Sequence, residues 1–192
     1  MIVKDINELK KPCEEIKDYE EAEKIAGKLL KELASSKKGI GLAANQIGIN
    51  KRVCVINVKE PLVLINPSIV DRSEETFTFP EGCLSFPNKR VKTTRNVSVS
   101  VECDNIDDTL FFTADSDNLA DAMECVCIQH EIDHLDGITM YDRKIRGNTI
   151  KREGKKIGRN DKVTIEKGSE SKTIKYKKAE ALLEEGWALV GH

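Results

Sequence analysis

The residues Gln129-His130-Glu131-Ile132-Asp133-His134-Leu135 form the stretch that decides how this sequence is interpreted. Two histidines four positions apart lie on one face of an α-helix, so both imidazoles can bind a single metal ion. The glutamate between them would lie beside that ion, where it can accept a proton from a metal-bound water. The chain has only three histidines, and the third is the last residue, His192. The stretch therefore predicts a catalytic metal site on a helix.

Other interpretations of the same helix are a pair of packed histidines without a metal and a purely structural metal site. Structural zinc usually has four protein ligands, whereas a catalytic ion has three protein ligands and an open position. The pattern HExxHxxGxxH continues through Gly137, but Met140 stands where its last histidine would be, which argues against a metzincin protease. A thermolysin-like zinc endopeptidase would need a distant glutamate, and Glu153 and Glu166 follow in charged segments.

A cysteine is the better candidate for the third ligand. Cys127 shares the helix, but positions 127, 130 and 134 span roughly 10 Å at the standard helical rise, so we interpret it as a residue of the pocket wall. Cys83 follows Pro80 in the stretch Glu81-Gly82-Cys83-Leu84-Ser85, where the glycine permits close approach of the backbone to a ligand. Taken alone, this pentapeptide is also typical of a loop that carries a free thiol.

The remaining pattern predicts an α+β fold, with antiparallel or mixed sheets around the metal-binding helix. Apolar residues at three- and four-residue steps predict helices over residues 18–33 and 118–135. Apolar or alternating runs predict strands over residues 52–58, 62–65, 97–101 and 110–113, with a turn over residues 105–108 between the last two.

The carboxyl-terminal part has a different composition. Residues 143–160 are basic and contain three glycines, which is typical of a linker. Strands over 162–166 and 172–176 flank Gly168-Ser169, which predicts a hairpin, and residues 179–187 predict a short helix. We therefore expect a catalytic domain over residues 1–145 and a basic extension over residues 146–192.

Three blocks of the sequence resemble peptide deformylase and occur in that family's order. They are Gly39-Ile40-Gly41-Leu42-Ala43-Ala44-Asn45-Gln46, then residues 81–85, then residues 129–135. The resemblance covers roughly residues 1–142, and the tail has no counterpart in the family pattern. It implies a peptide deformylase-like fold and a hydrolase that removes the formyl group from N-formylmethionine at the start of new polypeptides, releasing formate.

The resemblance also implies a role for individual residues. The metal ligands would be Cys83, His130 and His134. The ion is usually Fe(II) in this family, with Zn(II), Ni(II) or Co(II) as possible substitutes, and a water or hydroxide fills the fourth position. Glu131 would act as general base and then as general acid toward the leaving amine. Gln46 and the backbone N–H of Leu84 would hold the formyl oxygen as it gains charge.

Substrate contacts follow from the same resemblance. An apolar slot for the methionine side chain would be lined by Ile40, Phe79, Met123, Val126 and Cys127. Gly41 and Gly82 would pair with the substrate backbone, and Arg90 would lie at the rim. Arg95 is a candidate partner for Glu81, bracing the segment that carries the cysteine. The stretch 88–92 is more basic than the family pattern leads us to expect.

Composition bounds the class of protein and its partners. Apolar residues make up 39% of the chain and charged residues 33%. No run of 18 apolar residues occurs, and the amino terminus lacks a signal pattern, so we expect a cytoplasmic protein that binds neither membranes nor DNA. The net charge is +7 from Arg143 to His192 and −9 over the rest. The tail thus suggests association with ribosomes, and a deformylase-like binding module docked on ribosomal RNA is the non-enzymatic alternative.

Overall fold

The computed structural model describes residues 2–36, 38–115, 118–145, 162–167, 170–175, 178–179, 182 and 187–190. The chain divides into two compact units, Met1–Gly147 and Asn148–His192. In the described residues, no helix combines the length and the apolar composition needed to cross a membrane.

In the described residues of the first unit there are three α-helices and eight strands. The helices are α1 (Ile6–Leu9), α2 (Tyr19–Ser35) and α3 (Leu119–Leu135), with a 3₁₀ turn at Ala44–Ile47. The strands are β1 (Gly41–Ala43), β2 (Val53–Asn57), β3 (Pro61–Ile65), β4 (Ser68–Arg72), β5 (Thr76–Cys83), β6 (Phe86–Asn96), β7 (Ser98–Cys103) and β8 (Ile106–Thr113). They form three antiparallel sheets in the orders β1-β2-β3, β4-β7-β8 and β5-β6. The predicted α+β class is confirmed.

Helix α2 packs its apolar stripe on the first sheet. The Asp18 carboxylate accepts hydrogen bonds from the N–H groups of Glu20 and Glu21, which caps the helix where the sequence predicts its start. The buried face consists of Ala22, Ile25, Ala26, Leu29 and Leu33. Each fully buried leucine contributes about 1.5–3 kcal/mol. This face holds β1 and β2 in place, and with them the first of the three sequence blocks.

Helix α3 is enclosed on every side over its second half. Asn118 caps it, and all residues from Cys125 to Leu135 are buried, polar ones included. A helix buried all round belongs to the interior of a domain rather than its surface. Gly137 ends it with a positive φ of 73°, and a Cβ there would lie 2.5 Å from the Lys10 carbonyl oxygen, so only glycine fits.

One predicted turn is wrong, and one hairpin is absent from the sequence predictions. The turn predicted at residues 105–108 lies at Asp104–Asn105 instead, because β8 already begins at Ile106 and pairs with Cys103. The hairpin of β5 and β6, the longest strand pair of the first unit, was not predicted. Its alternation is hard to recognise because the buried positions of β6 include Thr93 and Arg95 as well as Val91.

The second unit contains the predicted hairpin. Strands β9 (Lys162–Lys167) and β10 (Glu170–Lys175) pair antiparallel, and β11 (Ala188–Val190) adds a third strand beside β9 that the sequence did not indicate. Ile165 and Ala179 are buried, with Leu182 and Trp187 packed against them. Most of the predicted linker, the Gly168-Ser169 turn and most of the predicted short helix lie outside the described residues.

Candidate active site

Strand β5 delivers Cys83 to the site. The cysteine is the last residue of the strand and pairs with Phe86 across a tight turn, with a bulge between Gly82 and Cys83. The alternative of a free thiol in a loop therefore does not hold for Cys83, which ends a strand. A strand end fixed by its partner strand positions a side chain more precisely than a free loop does.

Helix α3 brings two imidazoles to the same place. The ring centroids of His130 and His134 are 4.9 Å apart. The Cys83 sulfur lies 3.2 Å from His134 Nε2, and the three ligand atoms of Cys83, His130 and His134 all lie within 4.8 Å of one another. A thiolate and two imidazoles are ligands that Fe(II), Zn(II) and neighbouring transition metals accept. Burial lowers the pKa of His134 well below its ordinary value, which keeps it in the neutral form that binds metals.

Behind His130 lies a buried carboxylate. Glu81 Oε2 is 2.6 Å from His130 Nδ1, which places the proton on Nδ1 and leaves Nε2 free to bind a metal. Arg95 donates to both oxygens of Glu81, from Nε at 2.6 Å and from Nη2 at 2.9 Å, so the predicted pair is present. Although burial opposes it, the hydrogen bonds from His130 and Arg95 lower the pKa of Glu81 to about 2.

The hydrogen-bond network around Glu81 and Arg95 extends further than the sequence predicts. Arg95 Nη1 also donates to Asp133, whose carboxylate receives Arg143 Nε at 3.0 Å and Nη2 at 2.7 Å. Thr93 donates to Glu81 as well. Asp133 could have been recognised from the sequence by its place in the stretch 129–135, because two residues after Glu131 it lies on the opposite face of the helix.

Glu131 is 3% exposed and lies on the cleft side of α3. Within the described part of the chain, its Oε2 has no hydrogen-bond partner. Burial raises the pKa of Glu131 to about 7, with His130 opposing the shift. A buried carboxylate oxygen without a partner is costly unless a substrate or water occupies the space beside it.

Gln46 reaches the site from the first sequence block. Its Oε1 accepts the Ala43 N–H at 2.9 Å, which fixes the amide so that Nε2 points to Cys83 Sγ at 3.3 Å and Ser85 Oγ at 3.2 Å. The neighbouring Asn45 donates to the His134 carbonyl at 2.6 Å, a contact that the sequence did not predict. This hydrogen bond anchors the first sequence block to the end of the metal-binding helix.

A cleft of about 950 Å³ opens beside these residues. Its lining includes every residue for which the sequence predicts a substrate contact: Ile40, Gly41, Phe79, Gly82, Arg90, Met123, Val126 and Cys127. The Cys127 thiol donates to the Ile40 carbonyl at 3.4 Å and so lies in the wall of the cleft. Burial raises the pKa of Cys127, which keeps it a neutral thiol.

Comparisons with known proteins agree with this geometry. The model of the polypeptide deformylase family matches residues 2–151. A peptide deformylase of Natranaerobius thermophilus is 48% identical over 108 residues, which are 55% of this chain and 66% of that protein. One from Prochlorococcus marinus is 38% identical over 152 residues, or 76% of this chain and 73% of that protein.

A solved structure leads to the same family. The crystal structure of peptide deformylase from Plasmodium falciparum is 30% identical and superposes with a TM-score of 0.68, covering 76% of this chain and 87% of that one. All of the second unit except its first four residues lies beyond the match to the family model. The chain belongs to the peptide deformylase family, the metal-dependent hydrolases that remove the N-formyl group from newly made polypeptides.

Proposed function

We propose that this chain deformylates N-formylmethionyl peptides with Cys83, His130 and His134 as ligands of one divalent metal ion and Glu131 as the acid–base group. The observation that carries the proposal is the convergence of three ligand atoms within 4.8 Å, from a strand end and a helix, beside a buried carboxylate that faces a cleft. Fe(II) is the ion we propose in the cell, with Zn(II), Ni(II) or Co(II) as substitutes. When bound, the ion supplies a Lewis acid that activates water near neutral pH and polarises a carbonyl.

Glu131 moves the proton in this scheme. Its unpartnered oxygen accepts a proton from the attacking water, whose oxygen bonds to the formyl carbon. The carbon–nitrogen bond then breaks, and Glu131 returns the proton to the amine nitrogen. The products at this point are formic acid and a peptide with a free amine, and transfer of the acid's proton to that amine gives formate and an ammonium terminus, so atoms and charge balance.

Two donors would stabilise the negative charge on the formyl oxygen. The Gln46 amide is held by Ala43 with its NH₂ directed to the Cys83 side of the site, so it needs little reorganisation during the reaction. The backbone N–H of Leu84, next to Cys83, is the second donor we propose. Preorganised donors of this kind are typically worth about 3–4 kcal/mol each.

The cleft determines which peptide is accepted. Met123, Val126 and Cys127 project from α3 and, with Ile40 and Phe79, form an apolar slot for an unbranched side chain such as methionine. Gly41 lies in β1 and Gly82 in β5, so a peptide between them can pair with both backbones. Arg90, the register partner of Gly82, lies at the rim.

The decisive experiment is anaerobic purification with metal analysis, followed by measurement of formate release from formyl-Met-Ala-Ser. We expect about one divalent ion per chain and turnover of the formyl peptide but not of acetyl-Met-Ala-Ser, because a formyl group fits a tight site that a methyl group obstructs. Cys83→Ser should bind less metal; full metal content in that variant, together with cleavage of internal peptide bonds, would favour a zinc endopeptidase instead.

The basic carboxyl-terminal region from Arg143 onward is proposed to bring the enzyme to ribosomes in the cytoplasm. The support is the net charge of +7 from Arg143 to His192, which suits a polyanionic partner. Co-sedimentation of the full chain with ribosomes should decrease steeply with salt and be lost in a chain that ends at residue 145. Equal sedimentation of the two chains would remove this part of the proposal.

A further inference from the structure

Among the residues that the structure describes, the exposed charged side chains at the mouth of the cleft are all basic. Of the described residues that line it, the charged and exposed ones are Lys38, Lys89 and Arg90, here called the basic rim. The two carboxylates of the cleft, Glu81 and Glu131, are 4% and 3% exposed. Every solvated ionic group of the described lining that a bound peptide can contact is therefore positively charged.

The basic rim has no counter-charge among the residues that the structure describes. None of its three members forms an ion pair with them, whereas Lys59, between β2 and β3, pairs with Asp121 and Glu124 of α3. Glu81 does not compensate the rim, because Arg95 and His130 already occupy its oxygens. The three cations are thus available to a ligand.

The rim residues lie on both walls of the cleft. Lys38 precedes Gly41 by three residues, at most about 10 Å of chain. Arg90 is paired with Gly82 on the other wall, and Lys89 is adjacent to it. A peptide that pairs with Gly41 and Gly82 therefore carries its second to fourth residues past the rim, at about 3.3 Å per residue.

We propose that the basic rim selects, among formylmethionyl peptides, those with aspartate or glutamate in the second to fourth positions. The inference rests on the proposed function and specifies its substrate class. Exposed ion pairs are individually weak and screened by salt, so the expected preference is modest and depends on ionic strength. Because such contacts form equally in the bound substrate and in the transition state, the effect belongs in KM rather than in kcat.

The test uses the metal-loaded full chain and three peptides with amidated carboxyl termini: formyl-Met-Ala-Glu-Glu-amide, formyl-Met-Ala-Gln-Gln-amide and formyl-Met-Ala-Lys-Lys-amide. We expect kcat/KM for formate release to decrease in that order. The glutamate peptide should exceed the glutamine peptide by about threefold to tenfold at low salt, and by less than about twofold in 0.5 M KCl.

Variants assign the preference to the rim. The double variant Lys38→Gln, Lys89→Gln should reduce the ratio of glutamate to glutamine kcat/KM to within about twofold of unity. Lys92→Gln, an exposed lysine on the same strand β6 but outside the cleft lining, is the matched control and should keep the full ratio.

The outcomes separate the two proposals. Equal kcat/KM for the glutamate and glutamine peptides overturns the selectivity, as does a preference that survives in the double variant. Absence of formate from all three peptides overturns the proposed function itself.

Discussion

Glu81 Oε2 lies 2.6 Å from Nδ1 of His130, so a buried carboxylate stands directly behind one of the proposed metal ligands. The same carboxylate is held by Arg95, which joins it to Asp133. The orientation of the imidazole therefore depends on a chain of buried charges that spans β5, β6 and α3. Residues that hydrogen-bond to a metal ligand in this way commonly control metal affinity, and their mutation typically lowers it by about 10- to 100-fold.

The first prediction concerns that carboxylate. Glu81→Gln removes the charge that orients His130 and leaves Arg95 partly uncompensated, so metal affinity should fall by about 10- to 100-fold. Competition with a chelator, read by metal content after dialysis, measures the change. Glu75→Gln, an exposed glutamate just before the same strand, is the control and should bind metal normally.

The second prediction separates proton transfer from metal binding. Glu131→Gln keeps the shape of the side chain but cannot accept a proton, so kcat should fall by about 10²- to 10⁴-fold with metal content unchanged. Formate release and elemental analysis on the same sample provide both readouts. Near-normal turnover by a fully loaded variant would remove Glu131 from the mechanism.

The third prediction concerns the charge that develops on the formyl oxygen. Gln46→Ala should lower kcat by about 10²- to 10³-fold with little change in KM, because the donor acts mainly in the transition state. Ser85→Ala is the matched control: it removes only the hydroxyl that accepts from Gln46 Nε2 and keeps the amide in place. If both variants behave alike, Gln46 only supports the packing of the site.

The fourth prediction uses the close approach of β1 to α3. A Cβ on Gly41 would lie 2.6 Å from the Cys127 sulfur and 2.9 Å from the Glu131 carboxyl carbon. Gly41→Ala should therefore displace Glu131 and lower kcat/KM by about 10- to 100-fold. Gly27→Ala on the exposed face of α2, where nothing lies within 4 Å, should instead raise stability by about 0.5–1 kcal/mol and leave kcat/KM unchanged.

The fifth prediction is a pH dependence of stability. Asp142 binds Lys10 Nζ at 2.8 Å and the N–H and hydroxyl of Thr139 at 2.9 and 2.8 Å. Although burial opposes it, these contacts lower the pKa of Asp142 from 3.8 to about 2. The folded chain therefore binds fewer protons at this site than the unfolded chain does. The stabilisation is present above the unfolded pKa and is lost as the pH falls through about 2.

Asp142→Asn tests this site. Because the carboxylate is 39% exposed, solvent screening reduces the stabilisation to about 1 kcal/mol. Urea unfolding at pH 7 should show that loss, and the difference between variant and parent should disappear toward pH 2. A difference that is the same at both pH values would show that the charge of Asp142 plays no part.

Much of the metal helix could be predicted from the sequence, since helices depend on local spacing. The i, i+4 histidines, the Asn118 cap and the glycine at the carboxyl end are all local signals, and α3 spans Leu119–Leu135 against a predicted 118–135. Helix α2 likewise begins beside its predicted start at residue 18, although it continues to Ser35 instead of ending at residue 33.

The β5–β6 hairpin was less predictable because its inward face is polar. Thr93 and Arg95 alternate with exposed residues, yet they are buried by contact with Glu81 on the partner strand, 12 and 14 positions away. A hydrophobicity pattern assigns such residues to solvent. The burial of Arg95 is tolerable only because its charge is paired with the carboxylates of Glu81 and Asp133.

The sequence by itself determined the helix that carries His130 and His134 and, through three blocks that resemble peptide deformylase, the family and Cys83 as the candidate third ligand, because short motifs carry their chemistry in residue type and spacing. Only the tertiary structure decided that Cys83 ends a strand, that Arg95 links Glu81 to Asp133, and that three cations converge at the cleft mouth. They depend on contacts between residues far apart in the chain, such as Cys83 and His134, which are 51 positions apart. Strand register and sheet packing fix such contacts, and neither follows from local propensity.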